Sequence, residues 1–408
     1  MSLTLLFLAA FTVACAIAVL VRMSRVRERS TVGPTEHQLC LIQPQDVHEL
    51  LSISSVEQIC ARSVPNERLV RAFKITNTFV PTVSTCTPRS LVKHARFFAM
   101  LVRNQATEHV KAAIDAYISY IQVHPSSEYE PFIQYVSFTV ILTTLFSVDT
   151  QPSPRDVLTV TQGINQLWRL SKTTGEISPH LLATINAHLR AWIPAYPNPL
   201  DFVLPTFETM WRVVAVAVAH VHQDPDALKA FARFAASPTS NQFECFEGDL
   251  PSVGAVIAET MRLHPPTRRI HRASVLAQTS GSTSWIAKFT SFIFSNARQT
   301  PLPSRVVADI GAIHRDTAIW GHDAGVFRPA RHHPVTLTPA QRGAFMPFGY
   351  GRLKCVASSW APHAAGLIVG EILNGLDESY TLCEGGQIGG RDGWEGWTVD
   401  FAADDGDC

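Results

Sequence analysis

The chain has 408 residues, 46% hydrophobic and 17% charged, enough apolar sequence for one large domain or two ordinary ones and too much for disorder. Its 34 basic and 34 acidic side chains cancel, which argues against binding nucleic acid through a broad phosphate-neutralising field. Eight scattered cysteines form no CxxC pair and no zinc-finger spacing, so reduced thiols in a cytosol-facing protein are favoured over a disulfide framework.

Residues 3–21, LTLLFLAAFTVACAIAVLV, carry no charge. As a helix they rise about 28 Å, enough to cross the hydrocarbon core of a bilayer. Arg22, Arg25, Arg27 and Arg29 follow, and no basic residue precedes. Charges on that side place the rest of the chain in the cytoplasm. They also favour an uncleaved signal anchor over residues 1–22 rather than a cleaved signal peptide. The polar stretch with the Gly33-Pro34 breaker makes 23–46 a linker, leaving 47–408 as one large folded domain.

Helical periodicity predicts helices over 90–104 and 108–122. The stretch 132–148 is almost continuously apolar, but it is short and contains Gln134 and several threonines. A buried helix is expected there, not a second membrane crossing. Residues 201–225 read as a long buried helix with polar residues in its middle. Asp224 and Pro225 open another over 224–236, and Pro265-Pro266 stop a third over 250–266. The clearest strand is 284–295. The glycines of 384–393 do not lie between a strand and a helix, so they read as turns of a C-terminal hairpin rather than a phosphate loop.

The chain lacks HExxH, GxSxG and P-loop patterns. What it does contain is FMPFGYGRLKCVASSW over 345–360, in which Phe348, Gly351 and Cys355 make Phe-x-x-Gly-x-x-x-Cys. A thiolate that binds iron needs a tight turn bringing amides toward sulfur, and glycine permits it. Amide donors and an aromatic wall tune such a ligand. A buried structural cysteine beside a hairpin accounts for these three positions nearly as well. Upstream, however, stand Glu259-x-x-Arg262 and then Phe327-x-Pro329-x-Arg331. Glu259 and Arg262 share a helix face, and Arg331 can join them. Further upstream, Glu208-Thr209 places a carboxylate and a hydroxyl within the nearly apolar long helix, where an unpaired Glu is costly.

In order and spacing these motifs resemble those of the cytochrome P-450 family, the heme-thiolate monooxygenases, over most of the chain after the anchor. The resemblance implies a mainly α fold with small β-sheets, the family's triangular single domain preceded by an N-terminal transmembrane helix. It implies Cys355 as the axial ligand of heme iron, Phe348 shielding the sulfur, and Gly351 making the turn. A Glu259–Arg262–Arg331 cluster would support that loop. Glu208 and Thr209 would guide protons to dioxygen, and Arg272, with His271 as its competitor, would meet a heme propionate. The segment after Cys355 would start a helix with its positive end toward the thiolate.

Two departures stand out. Pro205-Thr206 replaces the family's small residue plus glycine and is expected to open the helix locally. Leu353 replaces the usual basic residue, so one propionate contact is lost. The expected partners are an NADPH-dependent reductase, an apolar small molecule, and the endoplasmic reticulum membrane through the anchor. Loop 71–86, with Phe79 or Val80, is a candidate pocket wall. The details look most like fungal members and point to secondary metabolism. The alternatives are a heme-thiolate isomerase or dehydratase that needs no reductase, and a degenerate, non-catalytic heme-binding membrane protein.

Overall fold

The computed structural model describes residues 38–52, 55–76, 103–121, 126–248, 250–273, 305–376 and 378–401. The anchor over 1–22, the helix over 90–104, the strand over 284–295 and residues 77–86 of the candidate pocket loop lie outside the described residues, as do Phe79 and Val80.

Helices dominate what is described. In chain order they are α1 (Pro44–Ser52), α2 (Ser55–Phe73), α3 (Arg103–Ile121), α4 (Tyr129–Leu145) and α5 (Pro154–Ser171). After them come α6 (Pro179–Trp192), α7 (Leu200–Val221), α8 (Pro225–Ala236), α9 (Val253–Leu263) and α10 (Ala361–Asn374), with short helical turns between. One three-stranded sheet has the order β1 (Gln38–Leu41), β4 (Arg305–Asp309), β3 (Arg269–Ala273). In it β1 runs parallel to β4, and β3 antiparallel to β4. The second places β6 (Thr398–Phe401) between β2 (Ser126–Glu128) and β5 (Tyr380–Cys383), all antiparallel. The mainly α architecture with small sheets is as expected.

Local signals explain most boundaries. Asp224 caps α8 by accepting the amides of Asp226 and Ala227, at 3.0 and 3.2 Å, with Pro225 as its first residue. Ser252 accepts the Ala255 amide at 3.0 Å to open α9, which ends before Pro265-Pro266. The apolar stretch from 132 forms the inner part of α4, where Phe132, Ile133, Val136 and Phe138 are fully buried. A large core surrounds α7, built from α4, α5, α8, α9 and α10. A smaller core under the first sheet joins Leu41, Leu50, Leu51, Val306, Trp320 and Met346. Among the described residues one helix, α7, is long and apolar enough to cross a membrane, and it is the buried centre of the fold.

Two expectations need correction. The stretch 23–46 is not wholly linker: it supplies β1 and the first turn of α1, because Leu39 and Leu41 find apolar partners beside β4. Pro205 does not open α7, which runs unbroken through it. The proline falls in the second turn, where the ladder loses only one amide. There Thr206 Oγ1 donates to the carbonyls of Phe202 and Val203, at 2.9 and 3.1 Å.

Candidate functional site

The loop 345–360 presents Cys355 by a series of closed turns. The Gly349 amide donates to Met346 O at 3.0 Å, Cys355 N–H to Phe348 O at 2.9 Å, and Ser358 N–H to Cys355 O at 3.2 Å. Gly349 and Gly351 both have φ of +71°, a conformation that suits glycine. At Gly351 a Cβ would come within 2.3 Å of Leu51 O, so the loop is pressed against the end of α1 with no room for a side chain. Tyr350 stacks on His48 of α1, with centroids 3.9 Å apart. Phe348 is half-buried against the large core.

Cys355 is exposed and free. Desolvation on its loop side pushes the thiol pKa up, while the Ala357 amide hydrogen bond and the charge of Lys354 pull it back. A helix does not begin at Cys355 as expected. A 3₁₀ turn, Val356–Ser359, intervenes, and α10 starts at Ala361 with Pro362 in its first turn. The sulfur is therefore served by a nearby amide rather than by a helix N-terminus.

Glu259, Arg262 and Arg331 do come together, in a buried cluster. Arg262 Nε and Nη2 donate to the two Glu259 oxygens at 2.7 and 2.8 Å, and Arg331 Nε donates to Oε1 at 3.0 Å. Two donors that no motif identified complete the set: the Arg328 amide to Oε1, and His332 Nε2 with Oε2, each at 2.9 Å. Burial alone would raise the Glu259 pKa, but the hydrogen bonds and charge of Arg262, with His332 and Arg328, hold it at about 2. Arg262 also reaches the carbonyls of His314 and Ala324, and its guanidinium lies 5.0 Å from the Trp320 ring centroid. His314 ties the cluster to the cysteine loop. Its Nδ1 faces Arg262 O at 3.1 Å, and its Nε2 accepts the Met346 amide at 3.0 Å.

The other predicted residues fare differently. Glu208 is buried on α7, and Arg391 holds both its oxygens, Nη1 to Oε1 at 2.7 Å and Nη2 to Oε2. The acid expected beside Thr209 thus sits in a two-pronged ion pair, to a partner in the C-terminal segment that the sequence did not reveal. Thr209 is half-buried, and its hydroxyl makes no hydrogen bond among the described residues, unlike Thr206 and Thr260, which bond to carbonyls one turn back. Arg272 lies buried on β3 with Nη1 on His271 O at 2.9 Å; burial and the nearby positive charge of Arg62 lower its pKa to about 10. Leu353 is half-buried in the loop.

The donor chemistry fits a heme. A solitary thiol stands on a glycine turn with an amide at its sulfur. Among the described residues the Thr209 hydroxyl on the central helix makes no bond to the backbone, unlike those of Thr206 and Thr260.

Comparison with known proteins agrees. The family model described as Cytochrome P-450 matches residues 292–379, which include Phe327, Arg331, Phe348, Gly351 and Cys355. Cytochrome P-450 734A2 of Oryza sativa subsp. japonica is 33% identical over 140 residues, covering 32% of this chain and 22% of that protein. Benzoate 4-monooxygenase bphA of Aspergillus niger is 33% identical over 129 residues, covering 30% of this chain and 22% of that protein. The matched stretch thus spans about a fifth of the length of these relatives. Among solved structures, CYP175A1 from Thermus thermophillus superposes with a TM-score of 0.58 at 13% identity, over 90% of each chain. A zebra fish cytochrome P-450 does so with a TM-score of 0.54 at 18% identity, over 91% of this chain and 95% of the other. In its cysteine loop and buried Glu–Arg–Arg cluster the chain is similar over 292–379 to the cytochrome P-450 family, whose prosthetic group is heme, and its fold is that of cytochrome P-450 structures.

Proposed function

We propose that this protein is a heme-thiolate monooxygenase acting on an apolar small molecule. The observation that carries the reading is Cys355, a free thiol presented on closed glycine turns with the Ala357 amide at its sulfur. Heme bound there supplies oxygen activation, with electron density from the thiolate favouring O–O cleavage. In the overall reaction substrate, dioxygen, two electrons and two protons give the hydroxylated product and one water.

The chain's own residues divide the remaining work. Cys355 holds the iron, while Phe348 shields the sulfur. The cluster of Glu259, Arg262 and Arg331, through His314, fixes where the loop begins. Glu208 and Thr209 hold and pass protons on the central helix, and Arg272 faces a propionate. Electrons come from an NADPH-dependent reductase. Residues 1–22 anchor the protein in the endoplasmic reticulum membrane, with the catalytic domain in the cytoplasm. Similarity to a protein of Aspergillus niger named as a benzoate 4-monooxygenase supports the reaction class, and a place in secondary metabolism is part of the proposal.

The carbon monoxide difference spectrum of the reduced, heme-loaded protein tests this reading. The red-shifted Soret band of a thiolate complex should appear and Cys355→Ser should remove it. Folded, heme-loaded protein without that band overturns the assignment.

A further inference from the structure

The surroundings of Glu208 are built by residues outside every motif discussed above. Arg391 belongs to the turn-rich segment between β5 and β6, and that segment is tightly closed. A Cβ on Gly389 would meet Gly393 O at 2.7 Å and Trp394 at 2.8 Å. Trp394 Nε1 donates to Gly390 O at 3.1 Å and Trp397 Nε1 to Gln387 O at 2.8 Å. Both indoles pack on Tyr129 of α4, with centroids 5.2 and 5.5 Å away. This closed segment turns Arg391 inward, where it is 8% exposed.

The guanidinium is fixed from three sides. Its two terminal nitrogens take the two Glu208 oxygens, Nη1 also donates to Asn165 Oδ1 at 3.1 Å, and its carbon lies 4.5 Å from the Trp168 ring centroid. Asn165 passes the arrangement on: its Nδ2 donates to Glu130 Oε1 at 3.3 Å, an oxygen that also receives Gln134 Nε2 at 2.6 Å. A carboxylate at one end and a guanidinium at the other leave that amide one orientation. Four segments, α4, α5, the β5–β6 connection and α7, thus converge on the acid beside Thr209. A buried ion pair is in general no more stabilising than packed apolar side chains of the same volume. Stability alone therefore gives little reason to place a charged fork on the residue that precedes Thr209 in α7.

We infer that Arg391 is a positioning residue for the proposed reaction, its two-pronged grip setting the orientation of the Glu208 carboxylate beside Thr209, with Asn165 and Glu130 holding the grip in place. This rests on the monooxygenase reading. Planar bidentate geometry is what arginine supplies and lysine cannot, since an ammonium is a point charge. For Glu208 to hand on a proton, one prong must let go, so the fork's strength enters the rate.

The experiment compares heme-loaded full-length wild type with Arg391→Lys, Arg391→Gln, Glu208→Gln and the Glu208→Gln/Arg391→Gln double variant. Each reduced protein is mixed with oxygenated buffer, and its return to the ferric form is timed in H2O and in D2O. Infrared spectra of the carbon monoxide complex record the buried carboxylate band. Arg391→Gln should change the rate by about tenfold or more and alter the solvent isotope effect. It should also shift the carboxylate band that Glu208→Gln removes. Arg391→Lys should restore part of the rate. The double variant should behave like Glu208→Gln alone, because the grip has nothing left to hold. Independent, additive effects of the two substitutions overturn the inference while leaving the monooxygenase reading intact. An unaltered rate and isotope effect in Glu208→Gln remove Glu208 as the acid, and the inference falls with it. If Arg391→Gln fails to fold, Arg391→Lys decides: a lysine indistinguishable from arginine in rate, isotope effect and infrared band overturns the inference.

Discussion

His314 Nε2 accepts the Met346 amide at 3.0 Å, so the ring that closes the Arg262 side of the ion cluster also fixes the start of the cysteine loop. With Nε2 accepting, the proton must sit on Nδ1 and face Arg262 O, which only the neutral ring can do. Burial, chiefly, lowers the His314 pKa to about 3.

Acid should therefore loosen the loop. The folded-state value lies below the ordinary 6.5, so the contribution is fully present above pH 6.5 and is lost as pH falls from there toward 3. His220 and His264, whose Nε2 atoms are 3.3 Å apart, add to the same limb with pKa values lowered to about 4 and 3, again chiefly by burial. Thermal midpoints should fall steadily below pH 6.5, and less steeply in His314→Leu. That variant leaves Met346 N–H and Arg262 O without their partner and should cost about 2–4 kcal/mol at neutral pH in urea unfolding.

The charge cluster should tolerate little. Glu259→Gln removes the anion that faces Arg262, Arg331 and His332. Breaking such a buried arrangement costs about 3–5 kcal/mol, enough to abolish stable heme loading. Arg331→Lys keeps a charge but not the carbonyl contacts to Trp320 and Asp323, both at 3.0 Å, and should lose less. Because Glu259 is held at about 2 against an ordinary 4.5, its contribution is present above pH 4.5 and disappears as pH falls toward 2. Heme retention measured against pH for both variants checks this.

The two loop glycines should respond differently to alanine. Both have φ of +71°, where a side chain costs about 1–2 kcal/mol. At Gly349 the new methyl meets only Ile270 Cδ1, at 3.7 Å, whereas at Gly351 it would lie 2.3 Å from Leu51 O. Gly349→Ala should keep the thiolate carbon monoxide band with a slightly lowered melting temperature. Gly351→Ala should lose the band while circular dichroism stays near wild type.

Glu130 titrates in the opposite sense to the histidines. Burial raises its pKa from 4.5 to about 7, so the contribution of Glu130 to stability is fully present below pH 4.5 and is lost as pH rises through 7. Glu130→Gln should be more stable than wild type at pH 8 by on the order of 1–2 kcal/mol, after allowing for solvent at this half-buried site. At pH 4 the two should differ little. Chemical unfolding at the two pH values measures the difference.

What could be read from the residue string was what lies close along it. Phe348, Gly351 and Cys355 fall within eight positions, and Glu259 and Arg262 within one turn, so short motifs that resemble the family's could be matched to them. Arg331 was legible because its Phe-x-Pro-x-Arg setting is local too. His332 and His314 were missed because a lone histidine carries no pattern, and their partners stand 73 and 32 residues away. Arg391 lies 183 residues from Glu208 in a glycine-rich stretch that read only as turns. The four-residue β1 had too little periodicity to rise above its polar surroundings. Pro362 explains the late start of α10, yet a proline in a first helical turn also fits a helix that begins earlier.

The parallel pairing of Gln38 with Arg305 has a consequence for synthesis on the ribosome. Leu39 and Leu41 leave the exit tunnel long before β4 exists, and α1 waits longer still for Gly351, whose loop closes against Leu51 O. Closing so large a loop is slow in folding terms even though its entropic cost grows only gently with length. The earliest-made described segment is therefore a late one to settle, and until it does its apolar side chains stay without their partners.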